Sequence, residues 1–358
     1  MCSDDQSADL AHLVGVIAEI KHPFNSRYMF PSKVGGRPAW LIPSSIAEIK
    51  CDSCSNQMTF LLQLYAPETD RPQAFHRTVM VFVCLKCRCF LKCLRAQLQL
   101  QNEYYGAEMV SPKDVPLEDS VLDNLCCDSC GMLLHEGRGC RPLPEYSLDI
   151  EEVDEVELDV EEEEDISDDD MSEENDIEGI QVNESIATIS DMAIDSSEMD
   201  LFNEFTETQI EKDKSFRLFK RFVQDAPSNH VIYYSCGGSP LWITDENQMP
   251  GEPPACEHCG ARRQFEFQIQ PQLIFHLMKR LRGFPMDAAP FEWGIVSIFT
   301  CSSSCSKPDQ PYVEEFVYNQ LEPSEWLEFG ARKKVDFTQE KAKKIAPVVH
   351  EGGDDEWI

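Results

Sequence analysis

Apolar and polar positions alternate along much of this chain in short runs. Phe60-Leu61-Leu62-Gln63-Leu64, Val79-Met80-Val81-Phe82-Val83, Phe265-Glu266-Phe267-Gln268-Ile269 and Val296-Ser297-Ile298-Phe299-Thr300 are rich in Val, Ile and Phe and are flanked by Gly, Pro or Cys. That pattern predicts β-strands. Phe265, Phe267 and Ile269 fall on one strand face, with Glu266, Gln268 and Gln270 on the other. One stretch has helical spacing instead. From Leu273 to Arg282, Ile274, Leu277, Met278 and Leu281 share a face, while Lys279, Arg280 and Arg282 lie largely elsewhere. Gly283 and Pro285 end it. Its basic side reads as the solvated face of a core helix in preference to a docking surface.

The runs recur in a fixed order. Gly35-Gly36-Arg37-Pro38-Ala39-Trp40-Leu41 returns as Gly237-Gly238-Ser239-Pro240-Leu241-Trp242-Ile243. Each copy precedes a Cys-x-x-Cys pair, then a strand pattern, then a second β-rich run entering another Cys pair. Gly supplies positive φ, Pro fixes φ and Trp gives a large anchor, so the Gly-Gly-x-Pro-x-Trp segment predicts a turn. The expected fold is mainly β (α+β): two related zinc-stabilised β modules in a pseudo-repeat, joined by a disordered acidic insertion. The expected divisions are an N-terminal module over 12–105, a Cys-rich connector over 106–148, an acidic linker over 149–206, a C-terminal module over 215–330 and a flexible tail over 331–358.

Charge sharpens this division. The 358 residues carry 65 Asp and Glu against 31 Lys and Arg, a net −34. Residues 149–200 hold 24 of the acids and no Lys or Arg, which leaves 41 acids against 31 basic residues elsewhere. Self-repulsion and scarce apolar surface predict disorder for that stretch. Clustered Lys and Arg normally supply affinity for phosphates, so direct nucleic-acid binding is not expected. No apolar run approaches the ~20 residues that cross a bilayer, and the N-terminus does not read as a signal peptide. A protein of the cytoplasm and nucleus is expected, without a membrane partner.

In such a reducing compartment, closely paired Cys point to metal. Tetrahedral zinc takes four thiolate or imidazole donors, and a two-residue gap lets both sulfurs of a pair reach one ion. Cys51, Cys54, Cys84 and Cys87 make one set; Cys256, Cys259, Cys301 and Cys305 make another. Cys87, Cys89 and Cys93 compete for the fourth position of the first set. Both should be structural sites, because an all-thiolate shell leaves no position for an activated water. Cys126, Cys127, Cys130, His135 and Cys140 form a further group that reads equally as a small zinc site or as a remnant. His76 and His230 each enter a β-like run with no nucleophile pattern nearby. No nucleotide loop, nucleophile elbow or His-Glu-x-x-His is present, so no enzymatic activity is expected.

These residues resemble the programmed cell death protein 2 family. The N-terminal likeness lies in Ser32-Lys33-Val34-Gly35-Gly36-x-Pro38-x-Trp40-Leu41, Cys51-x-x-Cys54, Phe60 to Pro67, Phe75-His76-Arg77-Thr78 and Asn102-Glu103-Tyr104-Tyr105. The C-terminal likeness lies in Phe219-x-x-Phe222, Gly237-Gly238-x-Pro240-Leu241-Trp242, Cys256-x-x-Cys259-Gly260, Phe265-x-Phe267-Gln268-Ile269 and Trp293-Gly294-x-Val296-x-Ile298-Phe299-x-Cys301. Longer members carry a complete MYND-type finger between the halves, of which only Cys127-x-x-Cys130 and Cys140 match the start. In that respect the chain is closer to the finger-less members. The resemblance implies a dedicated chaperone in 40S subunit biogenesis and pre-rRNA processing, with a newly made small-subunit ribosomal protein of the universal S5 class (eukaryotic S2) as client. The rival expectation is a zinc-module adaptor in transcription, chromatin or proliferation control. Ile150, Val153, Val156 and Leu158 also have the spacing of a leucine-rich export signal, which would make an exportin a partner.

Overall fold

Strand β4 (His76–Val83) is buried along both faces, and the reason organises the whole molecule. Val79, Val81 and Val83 join one apolar cluster, whereas Met80, Phe82 and the adjoining Cys84 join a second. The first cluster collects residues from strands all around the sheet, so it fills the interior of a closed barrel. The second lies outside, under the connector. A computed structural model describes residues 13–20, 23–88, 90–116, 119–135, 140–152, 213–281, 293–307 and 309–321. Besides β4, its strands are β1 (Leu13–Ala18), β2 (Lys33–Val34), β3 (Thr59–Tyr65), β5 (Leu91–Leu98), β6 (Tyr146–Glu152), β7 (His230–Tyr234), β8 (Arg263–Ile269), β9 (Ile295–Cys301) and β10 (Tyr312–Gln320). Around the barrel the order is β1-β6-β2-β3-β4-β5-β10-β9-β8-β7, with β7 pairing back to β1.

The chain therefore does not stand as two separate β modules. Strand β5 of the N-terminal half pairs antiparallel with β10 of the C-terminal half, from Tyr312↔Ala96 to Glu315↔Cys93. Strand β1 lies between β6 and β7. The acidic linker also begins later than 149. Asp149, Ile150, Glu151 and Glu152 continue β6, opposite Val16, Gly15, Val14 and Leu13. Ile150 packs on the interior cluster, which commits that side chain to the barrel. The rest of the acidic run, the other export-pattern residues and the expected tail lie outside the described residues.

Three α-helices accompany the sheet among the described residues: α1 (Ser120–Leu125), α2 (Lys214–Asp225) and α3 (Gln272–Arg280). Helix α3 is the one the sequence predicts. Leu273, Leu277 and Met278 bury into the interior cluster, and Ile274 and Leu281 pack against it. Its core-helix reading holds, and Arg280 lies over the ring of Tyr146 at 4.4 Å. On α2, Phe222 meets Tyr233 edge-to-face at 5.1 Å. The first Gly-Gly turn explains its own composition. Gly35 has φ +59°, and a Cβ there would sit 2.1 Å from the carbonyl oxygen of Pro144.

The barrel interior is not purely apolar. Arg77 on β4 makes a two-pronged contact with Glu266 on β8, Nη1 to Oε1 at 2.5 Å and Nη2 to Oε2 at 2.6 Å. Its Nε lies 3.2 Å from Glu68 Oε1. The hydroxyls of Thr300 and Tyr234 also donate to Glu266. Nearby, Glu315 of β10 takes Arg95 Nε at 2.7 Å and Arg263 Nε at 3.2 Å. Burial alone would raise the Glu266 pKa, but the charge and hydrogen bonds of Arg77 outweigh it and hold the carboxyl below its ordinary range. Glu266 sits at a register shift of β8, between Phe265 and Phe267, so strand alternation does not turn it toward water.

Removing one member of a buried ion pair leaves the other desolvated without compensation, which typically destabilises by about 3–5 kcal/mol. Glu266→Leu should lower unfolding stability by that order. Arg77→Met with Glu266→Leu should recover at least half of the loss. Additive losses in denaturant titrations would contradict this coupling.

His76 and His230 are both tied into the fold by hydrogen bonds. Tyr65 Oη lies 2.9 Å from His76 Nδ1, and the His76 ring stacks on Phe30 at 4.3 Å. His230 Nδ1 lies 2.7 Å from the Pro227 carbonyl oxygen, to which it donates. Burial lowers both imidazole pKa values. A histidine lowered in the folded state binds fewer protons there than in the unfolded chain, so its contribution is lost as pH falls below about 6.5. Stability should decline from pH 7 toward 5, and His230→Phe should flatten part of that slope. An unchanged slope would remove His230 from the account.

Candidate metal centres

Each cysteine set sits where a β-hairpin opens. Strands β3 and β4 are antiparallel, with Thr59 opposite Val83. The Cys51–Cys54 pair before β3 therefore meets the Cys84–Cys87 pair after β4. The same geometry recurs at β8 and β9, where Arg263 lies opposite Cys301. It brings Cys256 and Cys259 to Cys301 and Cys305. In each set the four donor atoms lie within 4.8 Å of one another. Sulfur separations are 3.8 Å for Cys51–Cys87, 3.5 Å for Cys54–Cys84, 3.6 Å for Cys256–Cys305 and 3.5 Å for Cys259–Cys301. Tetrahedral zinc with Zn–S near 2.3 Å requires sulfur–sulfur edges of about 3.8 Å. The donors fit zinc.

The backbone of these sets is shaped alike. The residue four after the leading Cys donates its N–H to that Cys carbonyl, as in Ser55 to Cys51, Arg88 to Cys84 and Gly260 to Cys256, each at 2.8 Å. That fourth residue has positive φ: 57° at Ser55, 63° at Arg88 and 73° at Gly260. The tight turn aims backbone N–H groups at sulfur. The Asn56 backbone N–H is the largest influence drawing the Cys54 thiol down to about 7. Burial would raise Cys256, but the N–H groups of Cys259 and His258 bring it below its ordinary value. The effect covers only part of each set: burial pushes the Cys84 thiol up, and contact with Cys54 pushes Cys87 up to about 12.

Among the three candidates for the fourth position of the first set, the structure brings Cys87 to the other donors. Cys93 is buried in β5 within the interior cluster, and burial pushes its thiol well up. Cys89 lies outside the described residues. A third set is complete, where the sequence reading left a zinc site and a remnant open. Cys127, Cys130, His135 and Cys140 bring their donors within the same 4.8 Å. Cys126 is not among them; it is buried and bridges to Leu133 through its backbone. The spacing Cys-x2-Cys-x4-His-x4-Cys supplies a complete four-donor set in a short stretch of sequence. Among the described residues there are thus three Cys or Cys/His groups able to hold a metal ion, one more than the two zinc ions expected.

A closed β-barrel with four-cysteine groups able to hold a metal ion at the open ends of two of its hairpins defines the class of this protein. Within that class the chain belongs to the programmed cell death protein 2 family. Residues 12–114 match the programmed cell death protein 2 N-terminal domain, and residues 213–321 match its C-terminal putative domain. Bovine programmed cell death protein 2 is 33% identical over 343 residues, covering 81% of this chain and 91% of the relative. The rat protein is 30% identical over 347 residues with the same coverage. Human programmed cell death protein 2-like is 25% identical over 340 residues, covering 83% of this chain and 91% of the relative. No solved structure matches the chain.

Structural zinc contributes about 10–16 kcal/mol in zinc-finger peptides, as much as the whole net stability of a typical domain. Cys256→Ser should therefore yield insoluble or molten protein, with the β8–β9 end opened. A folded, soluble variant lacking that zinc by elemental analysis would refute a structural role.

Proposed function

We propose that this chain is a non-enzymatic, dedicated chaperone and assembly factor. It holds a newly made small-subunit ribosomal protein of the S5 class (eukaryotic S2) until delivery to the 40S precursor, and so supports pre-rRNA processing. Membership of the family, with the lack of a complete finger that its finger-less members share, is the basis for naming this client. The observation that carries the reading is the division of charge. A barrel bearing a modest excess of acid is joined to a stretch with 24 acids and no base between residues 149 and 200. Ribosomal proteins bear basic, RNA-seeking extensions, and a polyanion attached to a folded platform would occupy them without RNA. The zinc ions in this reading are structural and hold the platform in shape.

We infer further that the two halves are versions of one four-stranded, zinc-pinned unit. Strands run β2-β3-β4-β5 and then β10-β9-β8-β7, a reversed order about the β5–β10 seam. Gln63 Oε1 accepts from Ala39 N, and Gln268 Oε1 accepts from Leu241 N, at matching places after the two Gly-Gly turns. Phe60–Phe82 and Phe265–Phe299 are both edge-to-face at 5.8 Å. Equivalent side chains perform equivalent tasks, which is what duplication would leave.

Shuttling between nucleus and cytoplasm through an exportin belongs to the same reading. Because Ile150 packs in β6, an exportin would have to peel that strand end from β1 or rely on Val153, Val156 and Leu158. Val156→Ala with Leu158→Ala should accumulate the protein in the nucleus, and an unchanged distribution would end the export proposal.

The client is tested by nuclease-treated, co-translational affinity purification with mass spectrometry. The S5-class ribosomal protein should dominate and survive nuclease. Its absence, with chromatin regulators in its place, would reject the chaperone reading for the adaptor one.

A further inference from the structure

The connector between β5 and β6 is held down by more than apolar contact. Trp40 Nε1 donates to the carbonyl of Gly131 at 2.8 Å. Cys126, Cys130 and Met132 are buried in the outer cluster beside Trp40 and Phe82. Asp119 caps α1 by accepting from Leu122 N and pairs with Arg27. Within this anchored segment lies the third donor group. Both family domains end short of it, the N-terminal one at residue 114 and the C-terminal one beginning at 213.

We propose that Cys127, Cys130, His135 and Cys140 bind a third zinc ion, in a one-ion Cys3His site that fastens the connector to the N-terminal half. Cys127 Sγ and Cys140 Sγ are 3.4 Å apart, as are Cys130 Sγ and His135 Nε2. The sulfur–imidazole length suits the edge of about 3.5 Å expected from Zn–S near 2.3 Å and Zn–N near 2.0 Å, and the two sulfurs stand about as close as Cys54–Cys84 and Cys259–Cys301 do at 3.5 Å. The loop repeats the turn of the other two sets. Gly131 N donates to Cys127 O at 2.7 Å, Cys127 N donates to Met132 O at 2.7 Å, and Gly131 has φ +68°. Cys256 shows the same pair of bonds, to Gly260 N and Ala261 O, each at 2.8 Å. A remnant without an ion has no reason to retain a metal-binding turn and four convergent donors, one of them a histidine.

The site takes one ion and not the two of a cross-braced finger. After Cys140 the sequence has no Cys or His until His230, which is fixed in β7. A Cys127–Cys140 disulfide is the competing use of these sulfurs. It would give no role to the His135 imidazole facing Cys130.

Native mass spectrometry of the full chain should find three zinc ions, with Cys127, Cys130 and Cys140 protected from N-ethylmaleimide until a chelator is added. His135→Ala should stay soluble, keep its β signature and hold two. Two ions in the unaltered protein, together with rapid labelling of these three cysteines or a Cys127–Cys140 disulfide in non-reducing digests, would overturn the proposal. Three ions retained by His135→Ala would overturn the ligand assignment. If that variant fails to fold, the stoichiometry and labelling of the unaltered chain decide the matter.

Discussion

The guanidinium of Arg77 has almost no exposure to water, and the carboxylate that neutralises it, Glu266, lies 189 residues later in the chain. Arg95 and Glu315 repeat the arrangement across a gap of 220 residues. Buried ion pairs add little net stability over well-packed apolar groups, because desolvation consumes most of the Coulombic gain. Their effect here is on uniqueness. An N-terminal half folded alone would leave Arg95 buried without a carboxylate and Arg77 facing only Glu68. A C-terminal half alone would strand Glu266. Opposite charges placed in different halves penalise every arrangement except the closed barrel in this register, and the β5–β10 seam inherits its alignment from them.

Metal and ion network share that task by region. The interior network extends to the second cysteine group: Arg95 Nη2 donates to the Cys305 carbonyl at 2.9 Å, and Gln97 Nε2 to that of Ser304 at 2.7 Å. Ser304 in turn donates its hydroxyl to Glu68. The loop that would carry the zinc ligands Cys301 and Cys305 is therefore held by side chains of the other half. Loss of the ion would loosen acceptors of buried guanidinium groups as well as the local turn, so the metal site and the barrel core should fail together.

Much of this architecture is legible in the sequence, for reasons that differ by feature. The strands around Phe60, Val81, Phe267 and Ile298 show because alternation follows directly from the pleat. The two four-cysteine groups show because ligand spacing is a local constraint. Closure into one barrel does not show, since β5–β10 pairing depends on edges whose composition matches any other strand. Glu266 reads as an ordinary polar position; only the register shift beside it and the distant Arg77 make it interior. The group with His135 stays open between a zinc site and a remnant, because spacing does not say which four of its five candidate donors converge. Ile150 misleads through position. It belongs to an export-like pattern, yet pairing with Gly15 keeps it in a strand.

The placement of the closing strand has a consequence for how the protein is made. Its β10 comes last around the seam, and Tyr312 to Glu315 cover a β5 edge synthesised more than two hundred residues earlier. At ribosomal rates of about 5–20 residues per second, roughly ten to forty seconds separate the two. During that interval β5 presents an open edge and Arg95 lacks its counter-ion, both standing invitations to mispairing. A chain of this topology is itself an unfinished nascent protein for most of its own synthesis, and would gain from being shielded until its final strand arrives.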